Sequence, residues 1–464
     1  MALRGPTAPT AAISNLGCKV NQSELEGAVR HLRERGVRFG NGDGVGGGRV
    51  DLHVVNTCTV TAEADAKSRA AVRRARRANP DATVVVTGCS VSISPETYAA
   101  IDPAAIVIDN ASKRGLGSRL EALLGLGSDG APLDGPLPTM AGPELVSAAD
   151  RRSVADRTRA FVKVQDGCSF FCTYCLIPRA RGAERSLPPD AIVVDVRRAV
   201  AAGHREVVLT GINIGTYDGG SSERGYRGSH VRAALTLAGL VRRILGETSV
   251  ERLRLSSIEP QHVDDGLLSA WRDGAPRTLP HLHLPLQSGD DGVLRRMGRR
   301  YDTAAYAAVV DRARIAIPGL ALHADVMAGF PSEDEAAHER TLGFLGTVEP
   351  AGLHVFRYSE RPGTAALRMT GVVDAPTRKR RAADLLRLAA DARGSFTRRA
   401  VGHERRVLFE DREPDGRWVG RAEDYVEVAV GGAGEMANVV GRVWIERIDP
   451  SAPDRAVGRL LVAV

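Results

Sequence analysis

The chain has 464 residues, 43% of them hydrophobic and 26% charged, with a formal charge of +7. That composition is ordinary for a soluble globular protein, and the length allows two or three domains with separate cores. No stretch is apolar for long enough to span a bilayer and no signal-peptide core opens the sequence, so a cytoplasmic protein with no membrane partner is expected, and the positive balance favours an anionic partner.

Four strand-like apolar runs come first, at 11–17, 51–56, 83–87 and 104–108. Helix-compatible segments at 22–35 and 62–78 separate them, a βαβα pattern that predicts a parallel sheet. The first three runs end within two residues of Cys18, Cys58 and Cys89. Carboxyl ends of parallel strands share one sheet edge, where ligands bind, so the three thiols are expected to meet there in a cluster site. Three unrelated core thiols are the alternative, because free cysteine often packs as a small hydrophobe. The glycine-rich stretch at 40–48 precedes a strand and opens no helix, so it reads as a turn and not as a dinucleotide loop. The segment 67–77 carries Lys67, Arg69, Arg73, Arg74, Arg76 and Arg77. It is either a solvated helix face or an RNA backbone contact, with Arg73 and Arg76 as the candidate contacts.

Residues 125–150 are rich in Gly, Pro and Ala and read as a linker. The stretch 161–182 follows, with Cys168, Cys172 and Cys175 separated by three and two residues. Six cysteines in such a chain point to metal or redox chemistry and away from a disulfide framework. Three thiolates from one loop suit an iron–sulfur core and leave one iron of a cubane without a protein ligand. A zinc knuckle is the competing reading, but no fourth Cys or His lies between 176 and 203.

From 161 onward strand-like runs recur at 161–164, 206–210, 253–256, 282–286, 322–327 and 353–358. Helical segments at 189–201, 231–245, 303–315 and 333–348 alternate with them and suggest an incomplete parallel barrel. Reactive groups in barrels gather at the carboxyl ends of the strands. Gly211 and Asn213 follow the second strand there, and Ser256 and Glu259 end the third. On the fourth, His281, His283 and Gln287 fall on one face by the period of two. Arg295, Arg296, Arg299 and Arg300 follow; Arg299 and Arg300 are candidates for RNA phosphate or a cofactor carboxylate. A basic helix at 376–399 then leads to short β-like runs at 405–410, 417–421, 425–430, 438–448 and 459–464, the pattern of a small β-barrel. Trp418, Tyr425 and Trp444 lie there, either to stack on unpaired bases or to fill a small core.

The cysteine loop resembles the signature of the radical S-adenosylmethionine (SAM) enzymes, with Tyr174 at that family's usual aromatic position. LGCKVNQSE around Cys18, VVNTCTVT around Cys58 and VVVTGCS around Cys89 are similar to the methylthiotransferases. LGCKVNQ and NTCTVT look most like the branch acting on threonylcarbamoyladenosine in tRNA, and Ser90 departs from the aromatic that branch often carries. LQSG and ADVMAGFPSEDE also look like family motifs, which draws Gln287 and Asp325 into the SAM site. The tail resembles a TRAM RNA-binding domain. The resemblance implies an α/β chain with an N-terminal open parallel α/β domain (1–124), a linker (125–150), a central incomplete (β/α)6 radical SAM barrel (151–395) and a C-terminal small β-barrel (400–464). It implies 4Fe–4S clusters at Cys168, Cys172 and Cys175 and at Cys18, Cys58 and Cys89. SAM would be held near Tyr174, Gly211, Asn213, Ser256, Glu259, Gln287 and Asp325. RNA would be met by Arg73, Arg76, Arg299, Arg300 and Trp418. The implied enzyme is a monomer supplied by an external electron donor, converting threonylcarbamoyladenosine beside the tRNA anticodon to its 2-methylthio derivative. Two alternatives remain open: the same chemistry on isopentenyladenosine tRNA or a ribosomal-protein aspartate, and a tRNA-binding iron–sulfur protein without thiolation activity.

Overall fold

The computed structural model describes residues 8–40, 50–126, 158–220, 235–432 and 434–463. Most of the glycine stretch at 40–48, most of the linker at 125–150 and the start of the helix expected at 231–245 lie outside the described residues. The chain divides into two compact units. The first takes Met1–Arg157 together with Gly167–Ser169 and Cys175–Ala183. The second takes Thr158–Asp166, Phe170–Tyr174 and Glu184–Val464.

The first unit runs β1 (Thr10–Asn15), α1 (Lys19–Glu34), β2 (Arg38–Phe39), β3 (Leu52–Thr57), α2 (Ala62–Ala78), β4 (Thr83–Gly88), α3 (Cys89–Ile93), α4 (Pro95–Ile101), β5 (Ile106–Ile108) and α5 (Leu116–Leu123). A later helix, α6 (Ile177–Arg181), belongs to it as well. The strands form one parallel sheet in the order β2-β1-β3-β4-β5. β3 and β4 are central and covered on both faces, which is why Val54, Val55, Val84, Val85 and Val86 form near-continuous apolar runs. The Thr61 side chain starts α2 by accepting the Ala64 N–H at 3.1 Å. α1 starts earlier than its sequence pattern suggests, because Cys18 occupies its N-cap position.

The second unit continues with β6 (Arg159–Lys163), β7 (Gln165–Asp166), β8 (Arg185–Ser186), α7 (Pro189–Ala201), β9 (Glu206–Thr210), α8 (Leu237–Glu247), β10 (Arg252–Leu255), α9 (Asp265–Asp273) and β11 (His281–His283). Then come α10 (Asp291–Met297), α11 (Thr303–Ala316), β12 (Ala321–Ala328), α12 (Glu335–Val348), β13 (Gly352–Arg357) and α13 (Ala375–Arg398). β6, β9 and β10 form one parallel sheet, β11, β12 and β13 another. Lone parallel bridges at Leu253–Thr278 and Ser257–His283 join them, giving six strands in chain order. Among the described residues β6 and β13 do not pair, so the barrel is open on one side. On β12, Leu322, Ala324, Val326 and Ala328 pack under the helices while His323, Asp325 and Met327 take the opposite, inner face.

The tail, β14 (Glu404–Arg412), β15 (Trp418–Ala422), β16 (Glu427–Val430), β17 (Val440–Asp449) and β18 (Ala452–Ala463), closes into a barrel in the order β14-β15-β16-β18-β17. It is locked to the amino ends of β9 and β10 by a buried charge cluster. Glu206 accepts from Arg252 Nε at 2.9 Å and Arg254 Nε at 2.6 Å. The outer nitrogens of both arginines donate to tail carbonyls: Arg252 to Arg406 and Arg421, Arg254 to Glu423 and Ala422. No helix among the described residues is long and apolar enough to cross a membrane.

Candidate active site

In the first unit, β1, β3 and β4 are parallel neighbours, so their carboxyl ends share an edge. Cys58 directly follows β3 and Cys89 directly follows β4, both buried, while Cys18 is exposed just beyond β1. Gly88 makes the abrupt turn into α3: it takes φ +107°, and a Cβ there would meet the Thr57 carbonyl oxygen at 2.3 Å. The three thiols act on one another electrostatically. Burial pushes Cys58 up to about 11, and the Cys89 and Cys18 thiols add to the rise. Cysteines at the ends of neighbouring parallel strands are a natural ligand set for a metal core, which takes thiolate sulfur.

Sequence reasoning missed the buried polar side chains around this edge. Asn21 Nδ2 donates to the Thr57 carbonyl at 3.1 Å, and Asn56 Nδ2 donates to the Asn21 carbonyl at 2.9 Å. Lys113 Nζ meets Glu24 at 2.7 Å and Asn56 Oδ1 at 3.1 Å. The available signal was the pair of asparagines flanking Cys18 and Cys58 within the same short motifs.

In the second unit, the carboxyl ends of the barrel strands carry a second polar group. Arg299 has a side chain only 3% exposed, in contact with Glu259. It also reaches Cys172 Sγ at 3.4 Å, Tyr174 Oη at 3.4 Å and Tyr301 Oη at 3.0 Å. Burial raises the pKa of Glu259, and Arg299 opposes the rise. Gln165 Oε1 accepts the Asn213 N–H at 2.8 Å, yet among the described residues both amide atoms of the buried Asn213 side chain lack a partner, as does the buried Ser256 Oγ. Unpaired buried polar groups cost stability, so their presence fits a polar ligand at these strand ends. Asp325 Oδ1 lies 2.8 Å from His283 Nε2 and 3.1 Å from His354 Nδ1; those bonds outweigh burial and hold its carboxyl well below the usual range.

Residues 162–345 match the Radical SAM superfamily, and residues 10–109 match Uncharacterized protein family UPF0004. The chain is 34% identical over 443 residues to "Threonylcarbamoyladenosine tRNA methylthiotransferase MtaB" of Bacillus subtilis (strain 168), covering 94% of this chain and 93% of that protein. The chain belongs to the radical SAM methylthiotransferases. A "tRNA-2-methylthio-N(6)-dimethylallyladenosine synthase" of Novosphingobium aromaticivorans is 31% identical over 454 residues, covering 97% of each chain. Among solved structures, the radical S-adenosylmethionine methyltransferase TsrM from Kitasatospora setae superposes with a TM-score of 0.53 at 15% identity over 78% of this chain and 77% of that one, a likeness of fold. A radical SAM methylthiotransferase uses a 4Fe–4S cluster and SAM, and the orphaned Asn213 and Ser256 side chains fit that requirement.

Several residues stand differently from the sequence expectation. Trp418 is 4% exposed in the tail core and donates its Nε1–H to the Gly434 carbonyl at 2.8 Å, so it stacks on no base. Its place follows from strand alternation, which buries Trp418, Gly420 and Ala422 together. Arg76 is an internal staple, bonded to Asp102 at 2.8 Å and to the Pro80 and Ala82 carbonyls at 2.9 Å each. The Arg299 side chain is 3% exposed and lies beside Cys172, away from the surface position expected of a phosphate contact. Gln287 does not share a strand face with His281 and His283, because β11 ends at His283 and Gln287 takes φ +70°. A Cβ at Gly211 would meet Ile214 Cγ2 at 2.7 Å and the Gln165 carbonyl oxygen at 3.0 Å, so the close approach this glycine permits includes the chain's own atoms. Arg73 is exposed on α2, and the exposed Arg300 lies over the Phe170 ring at 4.1 Å, which in turn packs 5.7 Å from the His262 ring.

Proposed function

We propose that this chain attaches a methylthio group to carbon 2 of threonylcarbamoyladenosine in tRNA, using 4Fe–4S clusters at Cys168, Cys172 and Cys175 and at Cys18, Cys58 and Cys89. The observation that supports the reading is that β1, β3 and β4 are parallel neighbours and that Cys18, Cys58 and Cys89, far apart in sequence, follow their carboxyl ends. Carbon 2 of adenine offers no acidic proton to a base. A 4Fe–4S cluster held by Cys168, Cys172 and Cys175 would supply, with SAM, the one-electron chemistry that such a carbon–hydrogen bond needs.

The chain's own residues have the remaining work. Arg299 places a fixed positive charge beside Cys172 and holds Glu259, whose carboxylate is available to a ribose hydroxyl or an amine. Asn213 and Ser256 offer a donor and acceptors to the same cofactor. The Asp325 carboxylate, kept ionised by His283 and His354, offers an acceptor on the inner wall of the barrel. Exposed Arg73 and Arg300 provide cations for phosphate. The name of the B. subtilis relative favours threonylcarbamoyladenosine as the base modified.

Nucleoside mass spectrometry of tRNA from a strain lacking the gene tests the substrate. The 2-methylthio derivative of threonylcarbamoyladenosine should vanish and its unthiolated parent accumulate. Disappearance of the dimethylallyl derivative instead would overturn the substrate. Changing Cys18, Cys58 and Cys89 together to Ala should lower iron from about eight to about four per chain and abolish thiolated product.

A further inference from the structure

α6 is the first helix after Cys175, and the side chain of its last residue, Arg181, is fully buried. Arg181 Nε donates to Cys89 Sγ at 3.3 Å, and its Nη1 donates to Glu24 Oε1 at 2.9 Å. Asn110 Nδ2 donates to the same sulfur at 3.5 Å and to the Ala180 carbonyl at 2.9 Å, which fixes the end of α6 against Cys89. Lys113, 5% exposed on its side chain, brings a second buried cation to Glu24. Burying a guanidinium costs several kcal/mol unless anions meet it, and a neutral thiol is a weak acceptor. Glu24 is one anion to two buried cations, and a metal-bound sulfur at Cys89 would supply the second.

We infer that Arg181 is a positioning residue for the N-terminal cluster: its charge and its bond to Cys89 set how readily that cluster takes an electron. The inference rests on the two-cluster reading. Hydrogen-bond donors and positive charge at a ligand sulfur stabilise the reduced cluster and raise its potential. The residue is delivered by the segment that follows the other cysteine loop, so one stretch of chain serves both ligand sets.

The test uses the full chain with Cys168, Cys172 and Cys175 changed to Ala, so that only the N-terminal cluster contributes. Arg181→Gln and Arg181→Lys are added to it, and iron content and an EPR-monitored redox titration are measured. With Arg181→Gln, the ratio of reduced to oxidised cluster at a fixed poise should fall about tenfold, or about 59 mV for one electron. Arg181→Lys should recover most of that ratio. Loss of the cluster from Arg181→Gln but not from Arg181→Lys would also support the role of charge. An unchanged ratio in Arg181→Gln at full iron content overturns the inference alone, and loss from both variants alike makes Arg181 a packing residue and overturns it too. A background chain that takes up no iron overturns the N-terminal cluster itself, and this inference with it.

Discussion

Replacing Glu206 with Gln should unfasten the tail from the barrel. Glu206 is 1% exposed and lies between two arginines that are 0% and 1% exposed on their side chains. Burial alone would raise its pKa, but Arg254, Arg252 and Arg159 outweigh it and hold the carboxyl down from 4.5 to about 2. At about 1.4 kcal/mol per pH unit, that depression corresponds to stability on the order of 3 kcal/mol. Removing one partner of a buried ion cluster gives a similar figure, about 3–5 kcal/mol, because the remaining charges stay buried without their anion. Its folded pKa lies below the unfolded one, so this stability is fully present above about pH 5 and is lost as pH falls toward about 2. All three tryptophans, Trp271, Trp418 and Trp444, fall in the second unit, so urea unfolding followed by their fluorescence reads the unit concerned. Glu206→Gln should lower the unfolding free energy by about 3 kcal/mol at pH 7 and should narrow its gap to wild type near pH 3. A variant within about 0.5 kcal/mol of wild type at pH 7 would refute the reasoning. Because Arg252 and Arg254 also bond four tail carbonyls, deleting residues 400–464 would strand both side chains. Point variants are the sound way to test RNA binding by the tail.

Alanine at any one of Cys168, Cys172 or Cys175 should abolish deoxyadenosine release under dithionite; release at the wild-type rate from any single variant defeats that ligand set. Arg299→Gln should let burial raise the Glu259 carboxyl further, because the guanidinium that opposes it is gone, and should reduce kcat/KM for SAM cleavage by about tenfold or more, the loss of one charged hydrogen bond. An unchanged pH profile would argue against it. Arg73→Ala and Arg300→Ala should each lower the slope of log affinity for tRNA against log salt by about one, as one phosphate contact is lost. Arg76→Ala should leave that slope alone and lower thermal stability.

The sequence resolved the elements that carry strong local signals and lost those fixed by distant partners. α2 falls at 62–78 as its pattern requires, because an apolar face and the Thr61 cap are both local. The six cysteines stood out by residue type and by their place at strand ends. Gln287 was misplaced because alternation was carried through Pro285, which has no N–H to give the ladder; regular pairing of β11 ends at His283, and Gln287 returns only as a lone bridge to Val326 with the Leu286 and Gln287 N–H groups both on the Asp325 carbonyl. Arg299 and Arg76 looked like surface cations in arginine-rich runs. Arg299 is buried against Glu259 and the half-buried Arg76 is held by Asp102, acids well removed in sequence. The Arg181 group was beyond reach for the same reason, since its members come from four separate segments.

The membership of Gly167–Ser169 and Cys175–Ala183 in the first unit bears on how this enzyme is made. A fragment ending in the linker would lack α6, and with it the donor to Cys89 and the carbonyl that Asn110 grips. During synthesis the amino-terminal unit therefore stays unfinished until the ribosome has released the chain past Ala183. In heredity, the same interleaving resists the exchange of that unit between relatives by a single crossover: a chimera joined at the linker would inherit an edge of thiols from one parent and its guanidinium from another.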